Sequence, residues 1–161
     1  MEGLSMVDEG ADILDVGGES TRPGARPVSV EDELSRVVTV IGALARQSPV
    51  AISVDTSKPE VAARAVEAGA SIVNDVTGLT HPGMLEFCAG NDCGVVVMHM
   101  KGTPETMQSQ ARYEDVVSEM QDFFHERYET LTGAGIAPAR IVFDPGIGFG
   151  KTLEHNLTLL S

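Results

Sequence analysis

The stretch ADILDVGGESTRPGA, residues 11–25, joins an apolar run to an unusually polar loop. The run ILDV predicts a buried strand, which ends at a pair of glycines. A core strand of a parallel sheet usually passes to its helix within a few residues, whereas this loop carries two hydroxyls, an arginine and a Pro-Gly turn. Loops at the carboxyl end of such strands bear the chemistry of parallel α/β folds, so we expect an anionic ligand here. An ordinary surface loop is the alternative.

The composition restricts the class of protein. The 161 residues, 42% of them apolar, suffice for one domain, or part of one, with a real core. The net charge of −13 argues against nucleic acid and anionic membranes as partners. There is neither a long apolar segment nor a signal-peptide pattern, so we expect a cytoplasmic protein. Cys88 and Cys93 have no companion ligand at metal spacing, and we expect free, partly buried thiols.

Four more apolar strands are predicted after the first, and each ends at a polar residue. They cover residues 50–54, 70–73, 95–98 and 141–143, and helical patterns separate them. This alternation predicts a parallel sheet covered by helices. A doubly wound sheet is one solution, but only a (β/α)8 barrel lets every strand present a polar tip at one mouth. We therefore predict an α/β fold of the parallel (β/α)8 TIM-barrel type, with about five of the βα units present and the barrel incomplete.

Helix signals agree with this pattern. Ser29 is expected to cap the helix after the first loop, and Ser57 with Glu60 fits a capping box for the next one. A short helix is predicted around residues 84–89, a long one carries an apolar stripe over residues 116–131, and a last one begins at Thr152.

Three short polar side chains mark predicted strand ends: Asp55, Asn74 and Asp144. In a barrel they could meet over the mouth, where carboxylate and amide groups would bind the ring N–H and amino groups of a heterocycle. Each could instead merely cap the following helix. Asp75 lies beside Asn74 on the opposite side of the pleat, so we expect a structural role for it.

Thr21 and Arg22 fit a phosphate group, because a guanidinium supplies paired donors and the hydroxyl supplies one more. A salt bridge from Arg22 to Glu19 or to a neighbouring loop is the alternative.

The run GIGFGKT, residues 146–152, resembles a phosphate-binding loop only in part. The Walker pattern requires a glycine where Pro145 stands, so we reject a nucleotide site. Instead we expect the glycines to let backbone pass close to a ligand, with Phe149 as an apolar wall and Lys151 near a helix start. His99 ends an apolar strand, and we expect it to be packed and hydrogen-bonded rather than a base.

Five segments of the chain resemble, in order and at compatible spacing, the strand-end motifs of the dihydropteroate synthase family. They are DVGGESTRPGA (15–25), SVDTSKPEV (53–61), IVNDV (72–76), MHMKGTPETMQ (98–108) and FDPGIGFGKTLEHN (143–156). The resemblance covers essentially the whole chain and implies a single pterin-binding domain over residues 1–161, truncated at both ends.

The resemblance implies a transferase of folate synthesis that is also a sulfonamide target. Such an enzyme joins p-aminobenzoate to (7,8-dihydropterin-6-yl)methyl diphosphate and forms dihydropteroate and pyrophosphate. By resemblance Asp55, Asn74 and Asp144 would hold the pterin ring. The charge of Asp55 would also stabilise the cation that develops as the carbon–oxygen bond breaks.

Further roles follow from the same resemblance. Thr21 and Arg22 would contact the diphosphate, which makes Arg22, with Asp55, a predicted catalytic residue. Pro23 and Phe149 would form walls of the p-aminobenzoate and sulfonamide pocket. The full-length enzyme would be a homodimer that acts on small molecules.

Parts of the family pattern are absent from this sequence. They are the strand whose Asn ligates Mg²⁺, the strand with a pterin-contacting Lys, and the strand with Arg and His anion contacts. We therefore expect Mg²⁺ as a cofactor whose Asn ligand lies upstream of Met1, and little or no activity from these 161 residues alone. An unclosed sheet would also expose edges and an apolar face, so we expect poor behaviour in solution.

Two other functions stay open at this point. The pterin-binding domain of corrinoid-linked methyltransferases shares the Asp/Asn/Asp pattern but needs no diphosphate loop, and GGESTRPGA argues against it. A non-catalytic pterin-binding remnant is the second alternative.

Overall fold

The computed structural model describes residues 2–22 and 24–161, and in these residues five strands form one parallel sheet. The strands are β1 (Ile13–Gly17), β2 (Ala51–Asp55), β3 (Ile72–Asp75), β4 (Gly94–Met98) and β5 (Ile141–Asp144). Each strand pairs with the next one in sequence, so their order in the sheet is β1-β2-β3-β4-β5. A doubly wound sheet reverses its strand order at a switch point, whereas consecutive order is that of a barrel wall. The predicted barrel-type fold is confirmed.

Six α-helices alternate with these strands in the described part of the chain. They are α1 (Glu2–Asp8), α2 (Val30–Gln47), α3 (Pro59–Ala68), α4 (Pro82–Gly90), α5 (Val116–Gly133) and α6 (Leu153–Leu160). A short 3₁₀ helix, Pro138–Arg140, precedes β5. The Ser29 cap of α2 is confirmed, since its hydroxyl accepts the Asp32 N–H at 3.1 Å.

Two local predictions were wrong. The capping box of Ser57 and Glu60 does not form, because α3 begins one residue later, with Lys58 at the N-cap and Pro59 in the first turn. The third strand begins at Ile72 rather than Ala70, because the Ala70 N–H still donates to the Ala65 carbonyl in the C-terminal cap of α3.

The outer face of the sheet packs against the helices and forms the core. Its side chains alternate along the strands with those of the inner face, because successive strand residues point to opposite sides. The buried outer residues are Leu14, Ile52, Val54, Val73, Val95 and Val97. They contact an apolar stripe of α2 and the small-residue face of α3. Each such side chain contributes about 1.5–3 kcal/mol of burial.

The inner face is partly open in the described chain. Ile13 on β1 and Val142 on β5 are 53% and 59% exposed, and α6 also exposes three leucines. The expectation that the chain alone behaves poorly in solution stays a prediction. All five strands run in parallel, so their carboxyl ends and the loops that follow lie at one end of the sheet.

Cys88 and Cys93 are both free and almost fully buried. They are more buried than the sequence indicated, because they flank the turn from α4 into β4, beneath the side chain of Arg140. That guanidinium donates to the carbonyls of both cysteines at 2.8 Å.

Candidate active site

Asp55, Asn74 and Asp144 all lie on the inner face, at the carboxyl ends of β2, β3 and β5. Asp55 is paired with Asn74 in the sheet register, so their Cα atoms are about 5 Å apart. Asp144 is paired with Met98, two strands away from Asn74 and two residues further along. The structure therefore places the three predicted pterin contacts around one end of the inner face. Their predicted binding roles remain predictions.

Gly17 makes room for the Asp55 carboxyl group. The two residues are direct neighbours across β1 and β2. A Cβ atom at Gly17 would lie 3.3 Å from both Cβ and Oδ2 of Asp55, closer than ordinary contacts allow. The first glycine after the predicted strand therefore belongs to the inner face and keeps space beside the acid.

The Asp55 carboxyl lies in surroundings that disfavour its charge. Burial is the largest cause that raises its pKa, and the charges of Asp15, Asp75, Glu33 and Glu19 add to it in decreasing order. Together they raise the pKa of Asp55 to about 7. A ligand that donates hydrogen bonds or carries positive charge would relieve this cost and favour the carboxylate. Asp55 is therefore suited to a group that becomes cationic.

Asp15 is a site neighbour that the sequence analysis did not single out. It lies on the inner face of β1, and its Oδ2 accepts a hydrogen bond from Asn74 Nδ2 at 3.2 Å. This bond directs the Asn74 amide nitrogen to Asp15 and leaves the amide oxygen for a ligand. The available signal was a charged residue inside an otherwise apolar strand. It lies two positions before Gly17, and residues two apart in a strand share a face.

Asp75 points to the opposite face, as the pleat predicts, and is fully buried. Its carboxylate accepts the N–H and O–H of Thr77 at 2.8 Å and the Leu79 N–H at 3.2 Å. Burial raises the pKa of Asp75 despite these bonds. The residue shapes the loop after β3.

The loop after β1 lies beside Asp55. Ser20 and Thr21 line a cleft of about 180 Å³ together with Asp55, Thr56 and Thr77. The cleft therefore joins the loops that follow β1, β2 and β3, and Thr21 lines the same opening as the acid.

A second hollow, of about 200 Å³, joins the first and fifth loops. Thr21 and Arg22 line it from one side, and Gly148 and Phe149 line it from the other. The predicted diphosphate residues and the predicted apolar wall thus face the same space. Pro23 lies outside the described residues. The alternative salt bridge from Arg22 to Glu19 does not form, because the Glu19 carboxylate pairs with Lys58.

The fifth loop folds tightly against the end of β4. Asp144 Oδ1 accepts the Gly146 N–H at 2.7 Å. Gly146 has a φ of +63°, and a Cβ there would lie only 2.2 Å from the His99 carbonyl oxygen. Any residue other than glycine would push this loop, and with it Phe149, away from the site.

The Lys151 side chain is buried and donates hydrogen bonds to backbone carbonyls of this loop. Its Nζ lies 3.0 Å from His99 Nδ1 and donates to the carbonyls of His99, Gly146 and Phe149 at 3.1–3.2 Å. Burial lowers the pKa of Lys151 to about 8. Burial, and then the charge of Lys151, lower the pKa of His99 to about 4. Lys151 binds carbonyls rather than facing an open loop, which agrees with rejecting a Walker-type site.

His99 is packed and hydrogen-bonded, as predicted. Its ring meets the ring of Phe123 edge to face, with centroids 5.0 Å apart, and only 6% of the residue is exposed.

The family described as pterin binding enzyme matches residues 2–161. The chain belongs to this family. Dihydropteroate synthase of Escherichia coli K12 is 51% identical over 156 residues, 97% of this chain and 55% of the relative. The synthase of Synechocystis is 45% identical over 157 residues, again 97% of this chain, and 54% of its own length. The chain spans about half the length of the curated relatives it matches.

Solved structures of dihydropteroate synthases have the same fold. A Yersinia pestis synthase in complex with a sulfonamide drug aligns with a TM-score of 0.95 at 46% identity, covering 98% of this chain and 57% of that one. A Xanthomonas albilineans synthase with 4-aminobenzoic acid gives 0.92 at 49% identity, covering 98% and 56%. A Burkholderia cenocepacia synthase with 7,8-dihydropteroate gives 0.91 at 46%, covering 98% and 57%. The predicted resemblance to the dihydropteroate synthase family is confirmed.

Two remaining findings concern metals and membranes. Among residues 2–22 and 24–161, no three His, Cys, Asp or Glu side chains are grouped so as to hold a metal ion. In the same residues, no helix combines the length and apolarity that a membrane crossing requires. The expectation of Mg²⁺ as a cofactor stays a prediction.

Proposed function

We propose that this chain supplies the pterin-binding part of a dihydropteroate synthase. The carrying observation is the common location of Asp55, Asn74 and Asp144 on the inner face, beside a loop that presents Thr21 and Arg22. The relatives that match the chain are named as dihydropteroate synthases, and their structures hold 4-aminobenzoic acid or 7,8-dihydropteroate. These ligands are the second substrate and the product of the proposed reaction.

In the proposed reaction, the amino nitrogen of p-aminobenzoate forms a bond to the methylene carbon of the dihydropterin. The bond from that carbon to the diphosphate oxygen breaks, and its electron pair leaves with pyrophosphate. The amino nitrogen then releases one proton. Positive charge develops on the pterin as the diphosphate departs, so the site must stabilise opposite charges at its two ends.

The inner-face residues would act on the pterin end. The Asp55 carboxylate would accept ring N–H hydrogen bonds and stabilise the developing cation, which explains why its surroundings disfavour charge until the ligand is bound. Asp144 and the oxygen of Asn74 would accept further ring and amino hydrogens.

The loop residues would act on the other end. Arg22 would neutralise the leaving diphosphate with paired N–H donors, and the Thr21 hydroxyl would add one donor. Phe149 would form an apolar wall for the ring of p-aminobenzoate, since it shares a hollow with both loop residues. Pro23 keeps its predicted role at this pocket as part of the proposal.

The proposal includes the setting of the enzyme. We propose a cytoplasmic homodimer that needs Mg²⁺ and has neither nucleic acid nor membrane as a partner. The strongly negative net charge supports the exclusion of nucleic acid. Cell fractionation, sedimentation of the purified protein and activity with and without chelator test these three points separately.

The decisive test measures pyrophosphate release from (dihydropterinyl)methyl diphosphate and p-aminobenzoate. It uses the 161-residue chain and a chimera in which this chain replaces the matching segment of the E. coli relative. We expect synthase activity from the chimera and little from the chain alone. A folded chimera that binds pterin without releasing pyrophosphate would instead support the non-catalytic alternative. Methyl transfer to or from a corrinoid would support the methyltransferase alternative.

A further inference from the structure

A partly buried ion network lies beneath the loop that carries Thr21 and Arg22. Lys58 Nζ pairs with Oε2 of both Glu19 and Glu33. Glu19 is the second residue after β1, Glu33 lies in the first turn of α2, and Lys58 caps α3 just after β2. One ammonium group therefore connects three elements at the carboxyl end of the sheet.

Glu19 closes the first loop at its base. Its Oε1 accepts the Val28 N–H at 2.9 Å, nine residues along the chain, while its other oxygen contacts Lys58. Residues 20–22 and 24–27 lie between these two anchors. The position of that loop thus depends on the orientation of the Glu19 carboxylate.

The start of the loop also packs closely against α2. A Cβ atom at Gly18 would lie 2.8 Å from Glu33 Cγ, and Arg36 Nη1 donates to the Gly18 carbonyl at 2.8 Å. Glu33 is fully buried, and its Oε1 has no hydrogen-bond partner within the described residues. A buried carboxylate of this kind depends strongly on its one charged partner.

The charges of the network are mutually stabilised. Burial alone would lower the pKa of Lys58, but its hydrogen bonds to the two glutamates raise it above the ordinary value. Burial alone would raise the pKa of Glu19, but its bonds to Lys58 and to the Val28 amide lower it. Contact between Lys58 and Glu19 therefore favours the charged form of each of these two groups.

We infer that Lys58 is a positioning residue, which bridges Glu19 and Glu33 and thereby holds the first loop at a fixed place relative to Asp55. The segment that carries Asp55 continues directly into Lys58, and Glu19, Asp55 and Ser57 line the same cleft. The inference deepens the proposed function, because it fixes the distance between the diphosphate residues and the pterin acid. Its kinetic consequence rests on that function, but the structural consequence does not.

The structural test is hydrogen exchange of the full chain, read by mass spectrometry on peptides that cover residues 19–28. The variants are Glu19→Gln, Lys58→Met and Lys58→Arg, and the matched control is Arg64→Met, which removes an exposed ion pair on α3. Glu19→Gln leaves the pair of Lys58 and the buried Glu33 in place, so it reports on the loop even where Lys58→Met does not fold.

We expect Glu19→Gln and Lys58→Met to speed exchange of the loop amides by about tenfold to a hundredfold, as the loss of a hydrogen bond to a charged group implies. Peptides from α5 should keep their wild-type rates, Lys58→Arg should retain most of the protection, and Arg64→Met should change nothing. Unchanged loop exchange in Glu19→Gln, or an equal increase in every segment, would overturn the inference.

The kinetic test uses the chimera described above. We expect Glu19→Gln to raise KM for the pterin diphosphate about tenfold, because a displaced loop no longer meets the diphosphate. The dissociation constant of a pterin without a diphosphate should stay within about twofold, because Asp55 and Asn74 are undisturbed. Equal losses for both ligands would contradict positioning of the loop. A chimera without synthase activity would refute the proposed function, and the exchange data would still decide the role of Lys58.

Discussion

The two faces of the sheet differ in the polarity and burial of their side chains. The outer face is apolar and buried against helices, whereas the inner face carries Asp15, Asp55, Asn74 and Asp144 among partly exposed residues. Adjacent residues of the same strand belong to opposite faces, so the strand itself does not explain the difference. The outer face stabilises the fold through apolar burial. The inner face carries charged groups, whose burial in an apolar core would be costly. Substitutions on the two faces should therefore affect different measurements.

The largest expected effect is on the inner face. Asp55→Asn keeps the shape of the side chain but removes the charge that would stabilise the pterin cation. We expect kcat/KM of the synthase chimera to fall about a thousandfold, the upper range for losing one preorganised electrostatic group. Asp122→Asn, an exposed acid on α5, is the control and should be neutral. An Asp55→Asn chimera with near wild-type activity would remove Asp55 from the mechanism.

The same variant should gain stability above neutral pH. The folded-state pKa of Asp55, about 7, exceeds its ordinary 3.8, so the native state holds a proton that the unfolded state has lost. Stability of the wild type therefore falls as pH rises through this window. Asparagine has no such dependence, and we expect Asp55→Asn to be more stable at pH 8 by roughly 1–4 kcal/mol. Urea unfolding of the synthase chimera at pH 5 and pH 8 measures the difference, which should vanish towards low pH.

Two adjacent residues of β2 allow the contributions of the two faces to the free energy of unfolding to be compared. Ile52 is buried on the outer face, and Ile52→Ala should lower the free energy of unfolding by about 3 kcal/mol through lost contacts and a cavity. Ser53 is buried on the inner face, and its hydroxyl has no partner in the part of the chain that is described. Ser53→Ala should change stability by less than about 0.5 kcal/mol. Equal losses at both positions would show that the two faces are one core.

The apolar pattern sufficed to predict the outer face and the fold class. Residues such as Val54 and Val95 must be buried, and their spacing already indicated five parallel strands. The ends of the strands were less predictable, because the backbone ladder continues through polar residues such as Asp55 and Asp144. A local signal also failed at Ser57 and Glu60, where the proline at residue 59 set the start of the helix instead.

The loop after β5 packs against the end of β4 and also carries Phe149, so a substitution there should affect both stability and the candidate site. Gly146→Ala places a Cβ against the His99 carbonyl at a positive φ, so we expect a stability loss of about 2–3 kcal/mol and a displaced Phe149. Gly148→Ala is the matched control, because Gly148 also has a positive φ but no non-neighbouring atom of the described residues lies within 4 Å of the added Cβ. This variant should lose about 1 kcal/mol of stability. Thermal unfolding and KM for p-aminobenzoate measure the two consequences. Similar behaviour of both variants would mean that the close approach at Gly146 is unimportant.

The candidate site was predictable only where a side chain stands at a strand end. Asp55, Asn74 and Asp144 could be chosen from their positions, but the residues that hold the site could not. Lys58 contacts partners 25 and 39 residues away, and Lys151 contacts His99 52 residues away. Such pairs depend on how distant loops come together, and no local pattern in one sequence encodes them.

The smallest expected effect tests whether the inner face works as one electrostatic unit. Asp15→Asn keeps a hydrogen-bonding side chain beside Asn74 but removes the charge that, among the neighbouring carboxylates, raises the pKa of Asp55 most. We expect less than about a tenfold change in kcat/KM at neutral pH. The acidic limb of the pH profile should move to lower pH, because Asp55 then ionises more readily.

Asp12→Asn, an exposed acid just before β1, is the matched control and should leave the limb in place. An unmoved limb in Asp15→Asn would mean that Asp55 is governed by burial alone, and that its carboxylate neighbours on the inner face act independently.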